Sequence, residues 1–198
     1  MATTEPTDPP IPAKAMRADA RENREKLLRA ASGQFAAGGP DVPLEAIARD
    51  AGVGIGTLYR HFPTREALIE AVYRSEVDQL CAAAGELLAE LAPAAALAAW
   101  MQRFVAYATA KRGLAGALKA VAASQSELFP TTRKRQLQAI GELLDAGIAA
   151  GEIRKDVTAE DVLTSINAVW SIAAEGEQWA TQANRTLRLL MDGLRFGA

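Results

Sequence analysis

From Arg17 onward, apolar residues recur three and four positions apart, and no stretch alternates apolar with polar in the two-residue period of a strand. Alanine is abundant and runs of β-branched residues are missing, which suits helices throughout. The spacing predicts nine helices, at about 18–37, 43–50, 55–61, 64–91, 94–111, 113–124, 130–150, 158–176 and 178–195. The punctuation between them agrees. "AAGGP" stops the first helix, Pro43 sits in the first turn of the second, where a missing N–H costs nothing, and Gly52 ends it. Pro93 and Pro130 mark later starts, and Gly151 fits the position just past a helix end. Asp156 or Thr158 can cap the helix that follows. Residues 1–16 hold Pro6, Pro9, Pro10 and Pro12 among polar neighbours and read as a disordered tail. The expected fold is all-α, with a small helical head over 17–63 and a larger helical domain over 64–198.

Within the head stands "AGVGIGTLYRHF", Ala51 to Phe62, with Gly52, Gly54 and Gly56 on alternate residues. A dinucleotide fingerprint needs a third glycine where Thr57 stands and a strand before it, and a phosphate loop needs a Gly-Lys-Ser/Thr ending; none is present. The context fits a helix-turn-helix instead. Ala48 is small enough for a close helix approach, Gly52 follows four residues later at a sharp turn, and Val53 and Leu58 return as apolar anchors. The second helix of the pair is then left with an outward face carrying Ile55, Thr57, Tyr59, Arg60 and His61. Gly54 and Gly56 keep its start slim, so that backbone N–H groups can approach a sugar-phosphate strand. The partner this implies is double-stranded DNA.

Charge refines that picture without overturning it. The 198 residues carry a formal net charge of −2. Residues 14–74 hold ten Lys and Arg against eight Asp and Glu, while residues 75–198 hold twelve against fourteen. A modestly basic head on an acidic body permits a polyanion partner. One cysteine, Cys81, excludes an internal disulfide framework, and one histidine, His61, makes a zinc site improbable. No cofactor, metal or enzymatic activity is expected, since no Ser/His/Asp set, metal-ligand spacing or paired carboxylates can be found. No apolar run approaches a membrane span, and "MATTEPTDPPIPAK" lacks the apolar core of a secretory signal, so the chain reads as cytoplasmic with no membrane partner.

The stretch "VPLEAIARDAGVGIGTLYRHFPTREALIEAVY", Val42 to Tyr73, resembles the TetR (tetracycline-repressor-like) family of bacterial transcription regulators. The "IA..AGV" core, "GTLYRHF" and the Pro-Thr-Arg-Glu-Ala-Leu entry to the fourth helix occur in order. "KRGLAGAL", Lys111 to Leu118, is similar to an actinobacterial-type branch with an SbtR-like C-terminal domain. The resemblance implies a three-helix DNA-binding head, followed by a helical domain for ligand binding and dimerisation. It implies a homodimeric repressor on a near-palindromic operator, released when a small-molecule effector binds the C-terminal domain. The alternative is a helical ligand-binding protein with weak or lost DNA binding. Thr57 and Tyr59 match positions that contact phosphates or bases, Arg65 matches a phosphate-holding residue, and His61 and Phe62 match rings that pack the head. Pro43 and Glu45 depart from the family pattern, since neither side chain can hold a phosphate. The DNA contacts then fall to Arg17, Arg21, Arg49, Ile55, Gly56, Thr57, Tyr59, Arg60 and Arg65, with Lys14 beside them.

Two stripes in the last helices suggest a four-helix bundle with a twofold mate: Val162, Ile166, Val169 and Ala173 on one, Leu187, Leu190, Met191 and Leu194 on the other. The effector pocket is expected among the middle helices, with Trp100, Phe104, Tyr107, Leu118, Ser124, Gln125, Asn167 and Trp170 as candidate lining. Asn167 and Trp170, three apart, could present one polar and one apolar group. Cys81 reads as an inert helix residue. "TRKR", Thr132 to Arg135, reads as a solvated face, with an acidic group on the effector as the alternative use.

Overall fold

The computed structural model describes residues 13–124, 127–174 and 176–195. These form α1 (Ala13–Gly38), α2 (Leu44–Asp50), α3 (Ile55–His61), α4 (Arg65–Glu90), α5 (Pro93–Gly113), α6 (Ala115–Ser124), α7 (Leu128–Ala149), α8 (Ala159–Asn167), a 3-10 turn (Ala168–Ser171) and α9 (Gly176–Arg195). No strand occurs among them, and the all-α expectation holds. Two boundaries differ from the expectation by more than two residues. The first helix begins at Ala13, five residues early, so only 1–12 of the expected tail lie outside the described residues. The eighth helix ends at Asn167 and tightens into the 3-10 turn, instead of running to 176.

Helix ends follow local chemistry. Thr64 caps α4, its hydroxyl accepting from Ala67 N at 3.1 Å. Thr158 and Asp161 exchange hydrogen bonds as a capping box on α8. Pro43 proves to be the N-cap residue of α2 and supplies only its carbonyl, which accepts from Ala46 N at 3.0 Å.

The head packs α1, α2 and α3 around Leu27, Leu28, Ala31, Phe35, Leu44, Ile47, Leu58 and Phe62, all buried. Its core is continuous with that of the body, where α4 and α5 run together against α7 and α9. Helix α4 joins the two, since Leu68, Ile69 and Val72 are buried beside the head and Leu80, Ala84 and Leu87 within the body. Two contacts tie α1 to the body. Ser32 Oγ donates to Glu76 Oε1 on α4 at 2.7 Å. Gly113, ending α5, lies so close to α1 that a Cβ there would sit 3.1 Å from the Phe35 carbonyl oxygen.

Candidate functional site

The turn between α2 and α3 is built on Gly52, whose φ of +68° lies in the left-handed region that disfavours side-chain-bearing residues. Gly52 N donates to Arg49 O at 3.1 Å and Val53 N to Ala48 O at 3.0 Å, the paired closure of a Schellman motif. Leu58, fully buried, pins α3 against the head core. Helix α3 therefore presents its other face to solvent: Ile55 and Tyr59 are 36% and 47% exposed, unusual for large apolar residues. A Cβ at Gly54 or Gly56 would meet nothing within 4 Å, so the helix start is bare backbone with free space around it.

The polar residues of this face are partly tied to one another. Arg60 donates from Nη2 to Thr57 Oγ1 at 2.8 Å and from Nε to the Gly56 carbonyl at 3.3 Å. Arg49 is exposed in the last turn of α2. Arg21 is exposed on α1 beside Glu25 at 3.7 Å. Arg17 belongs to the helix, but its side chain lies outside the described residues. His61 is half-buried with its ring 6.2 Å from that of buried Phe62, and Arg24 lies 5.4 Å over the Phe62 ring.

Arg65 is placed differently from the other basic residues. It is half-buried, and its Nη1 donates to both Pro40 O and Val42 O at 2.7 Å. It clamps the loop between α1 and α2, a structural role that spacing could not show.

In the body, the expected lining residues separate into core and cavity. Trp100, Phe104 and Tyr107 are buried in the protomer's own core, and Trp100 Nε1 donates to Leu80 O at 2.8 Å. Leu118 is also buried. Gln125 and the side chain of Ser124 lie outside the described residues. Trp170 and Asn167 come together, but on each other: the indole N–H donates to Asn167 Oδ1 at 3.1 Å. A cavity of about 490 Å³ lies beside that pair, walled by Tyr73 of α4, Lys111 of α5, Phe129, Pro130, Thr132, Arg133 and Gln136 of α7, and Leu163 and Asn167 of α8. Of the expected lining among the described residues, only Asn167 is on its wall.

Lys111 was missed as a site residue. Its Nζ lies 5.1 Å from the Trp170 ring centroid, 5.4 Å from Phe129, 5.6 Å from Tyr73 and 5.9 Å from Tyr107. Burial pulls its ammonium below the ordinary lysine value. The signal was present in the sequence: Lys111 continues the stripe of Trp100, Phe104 and Tyr107 four residues further on, a charge in register with aromatics. Beneath it the Tyr107 hydroxyl donates to that of Tyr73 at 3.3 Å, and burial raises the Tyr107 phenol well above its ordinary value. Cys81 is half-buried and its thiol is also raised by burial, which suits an unreactive residue. Arg133 at the cavity rim pairs with Glu160.

The two C-terminal stripes turn inward, except for Ala173, which is exposed beyond the 3-10 turn. Val162, Ile166, Val169, Leu187 and Leu194 are buried within this one chain, and Leu190 is partly buried against the same core. Helical spacing identifies a buried face without saying what buries it. The large apolar residue that α9 exposes is Leu189, at 69%.

Among the described residues, no group of three or more His, Cys, Asp or Glu could hold a metal, and no helix is long and apolar enough to cross a membrane.

Comparison with known proteins places these features in a family. Residues 27–72 match the model for bacterial regulatory proteins of the tetR family, and residues 92–196 match the model for the C-terminal domain of SbtR-like transcriptional regulators. A TetR transcriptional regulator from Streptomyces coelicolor is 50% identical and superposes with a TM-score of 0.81 over 88% of this chain and 99% of that one. A TetR transcription regulatory protein from Mycobacterium vanbaalenii is 36% identical, with a TM-score of 0.73 over 91% and 99%. An HTH-type transcriptional regulator of Staphylococcus aureus is 38% identical over 64 residues, 32% of this chain and only 35% of that protein's length. Half-identity over nearly the whole of a structural relative, together with both domain matches, shows that this chain belongs to the TetR family, with the family's helix-turn-helix head and an SbtR-like C-terminal domain.

Proposed function

We propose that this protein is a homodimeric DNA-binding transcription regulator of the cytoplasm, and a repressor that leaves its near-palindromic operator when a small molecule enters the C-terminal domain. The observation that carries the reading is the outward face of α3. Ile55 and Tyr59 stand exposed beside bare Gly54 and Gly56 on a helix held rigid by Leu58 and the Gly52 turn. An exposed apolar pair on a short, well-anchored helix fits a groove surface: Ile55 suits a thymine methyl, and Arg60 suits guanine once it leaves Thr57. Backbone amides at the start of α3, with Arg49 and the basic side of α1, would hold phosphates.

Release follows from the path of α4. Tyr73 forms part of the cavity wall two turns beyond Arg65, about 12 Å along the helix axis. Arg65 in turn grips the α1–α2 loop of the head. A ligand that displaces Tyr73 would shift α4 and with it the head. Dimerisation would use the outer surface of α9 around Leu189, since the expected stripes fill the protomer's own core.

The test is a mobility-shift selection from genomic fragments at about 50–100 mM salt, where phosphate contacts are strong. A retained fragment with a twofold-related sequence supports the reading. Failure of every fragment to bind would favour the alternative, a helical ligand-binding protein with lost DNA binding, for which exposed Glu45 in the first turn of α2 and the side-chain-free Gly54 and Gly56 at the start of α3 are the supporting features.

A further inference from the structure

We infer that the cavity beside Lys111 receives an amphipathic organic anion, a carboxylate carried on an aromatic or otherwise apolar body, with Lys111 as its counter-charge. The inference rests on the effector reading above and adds the chemical class of the effector.

Three observations converge. The first is a charge with no ion-pair partner among the described residues. Lys111 Nζ lies among four aromatic rings, and among the described residues no carboxylate comes within ion-pair distance of it. A shielded ammonium without an anion is costly, and the rings return only part of that cost.

The second is the direction of the hydrogen bonds. Because the Trp170 indole N–H must meet an oxygen, the Asn167 amide is fixed with Oδ1 toward it, which leaves the Nδ2 hydrogens to give. The Tyr73 hydroxyl accepts from Tyr107, which leaves its own hydrogen to give. The Thr132 hydroxyl gives its hydrogen to Leu128 O at 2.9 Å and can only accept, and the buried Gln136 amide on the same wall carries one donor end and one acceptor end. Lys111, Asn167 and Tyr73 thus offer hydrogens from three helices around one space. An acceptor-only group with negative charge satisfies all three at once, and a carboxylate is that group.

The third is the remainder of the wall. Phe129, Pro130 and Leu163 are apolar, and about 490 Å³ suits a small organic body. An aromatic cage commonly selects a cationic ligand. Here the chain's own lysine already fills the cage, and a second cation would meet a like charge.

The position also suits signalling. Lys111 lies two residues before Gly113, which packs on the Phe35 backbone of α1, and it faces Tyr73 of α4. Helix α4 runs directly from the head, and α5 ends against α1.

The experiment titrates the full-length protein, without DNA, with three probes of one ring system: naphthaleneacetate, naphthaleneethanol and naphthaleneethylamine, by calorimetry. The acid is expected to bind at least about tenfold more tightly than the alcohol, with the amine weakest. Lys111→Met should erase the preference of acid over alcohol, and Lys111→Arg should keep most of it. Circular dichroism confirms that each variant is folded. If Lys111→Met does not fold, Asn167→Leu replaces it and should reduce acid binding several-fold more than alcohol binding. Equal binding of the three probes, a preference that survives Lys111→Met, or no binding of the acid at millimolar concentration overturns the inference. A parallel mobility shift separates it from the functional reading. Lys111-dependent acid binding that leaves a DNA complex intact sinks ligand release and spares the anion site. Intact DNA binding without any acid preference does the reverse.

Discussion

Replacing Arg65 by Ala removes one guanidinium nitrogen that serves two backbone carbonyls, Pro40 O and Val42 O, each at 2.7 Å. A hydrogen bond from a charged donor is worth about 1.5–3 kcal/mol where its loss strands a buried partner. The site is half-buried, so water can reach one or both carbonyls, and the expected cost falls to about 1–2 kcal/mol. For a chain of this size that lowers the melting temperature by about 2–8 °C. Arg65→Lys should recover only part, because the flexible four-carbon lysine stem must be ordered to bring its ammonium to both carbonyls. Thermal unfolding followed by circular dichroism in the helix band measures the first effect, and DNA affinity over a range of salt measures the second. A residue whose work is holding the loop lowers stability and leaves the salt slope of the remaining DNA complex unchanged. A residue that clamps phosphate lowers the slope by about 0.9 for each phosphate it no longer neutralises. An unchanged melting temperature together with a reduced slope would refute the loop-clamp assignment and restore the phosphate role that the sequence resemblance implies.

Gly52→Ala should cost about 1–2 kcal/mol in unfolding free energy although its Cβ has open space, because φ is +68°; an unaltered urea midpoint would contradict the turn argument. Gly56→Ala, inside α3 and also in open space, should hold or raise stability by up to about 1 kcal/mol while weakening DNA binding, which a melt paired with a mobility shift can read. Thr158→Ala should cost about 1 kcal/mol, and it should also alter the acid limb. Thr158 lowers the Asp161 carboxyl below 3.8, and Arg154 holds that of Asp156 at about 2. Both pKa values are depressed by folding, so their stabilisation is present above 3.8 and fades as pH falls through the folded values toward 2. The variant should lose only the part of the Asp161 share that the Thr158 hydroxyl supplies, since the backbone N–H at 158 still donates to that carboxylate, and stability measured from about pH 5 downward would show it. Leu189→Asp should yield a monomer in sedimentation with an unchanged helical spectrum, and a persistent dimer would move the interface elsewhere.

The helices were legible because each carries its period and its punctuation together. Gly52 and Gly151 do stand at positive φ just past α2 and α7, and Thr158 does cap α8. Errors arose where neighbours override local signals. Apolar spacing through Val169 carried the eighth helix too far, whereas the chain tightens there and Trp179 Nε1 donates to the Val169 carbonyl at 3.1 Å. The same limit explains the inward stripes of α8 and α9. Periodicity reports that a face is covered, and only the tertiary arrangement tells whether the same chain or a second copy covers it.

The site divides along a different line. In the head, the outward residues of α3 could be read because a helix-turn-helix constrains both ends of a seven-residue helix, leaving little freedom over which face is bare. In the body, aromatics at positions 100, 104 and 107 satisfy core and pocket alike, and the structure assigns all three to the core. What marks the cavity is the residue that fits the core least. An ammonium at the fourth position of an aromatic stripe contradicts the local rule that charges stay in water. Such a contradiction persists when something outside the free protein compensates for it. Lys111→Met should therefore leave the ligand-free protein as stable as the parent or more so, since the thioether fits the same four rings without desolvating a charge. Should the melting temperature instead fall by several degrees and Lys111→Arg restore it, the rings would be holding a structural cation, and the cavity would have no unmet charge to offer a ligand.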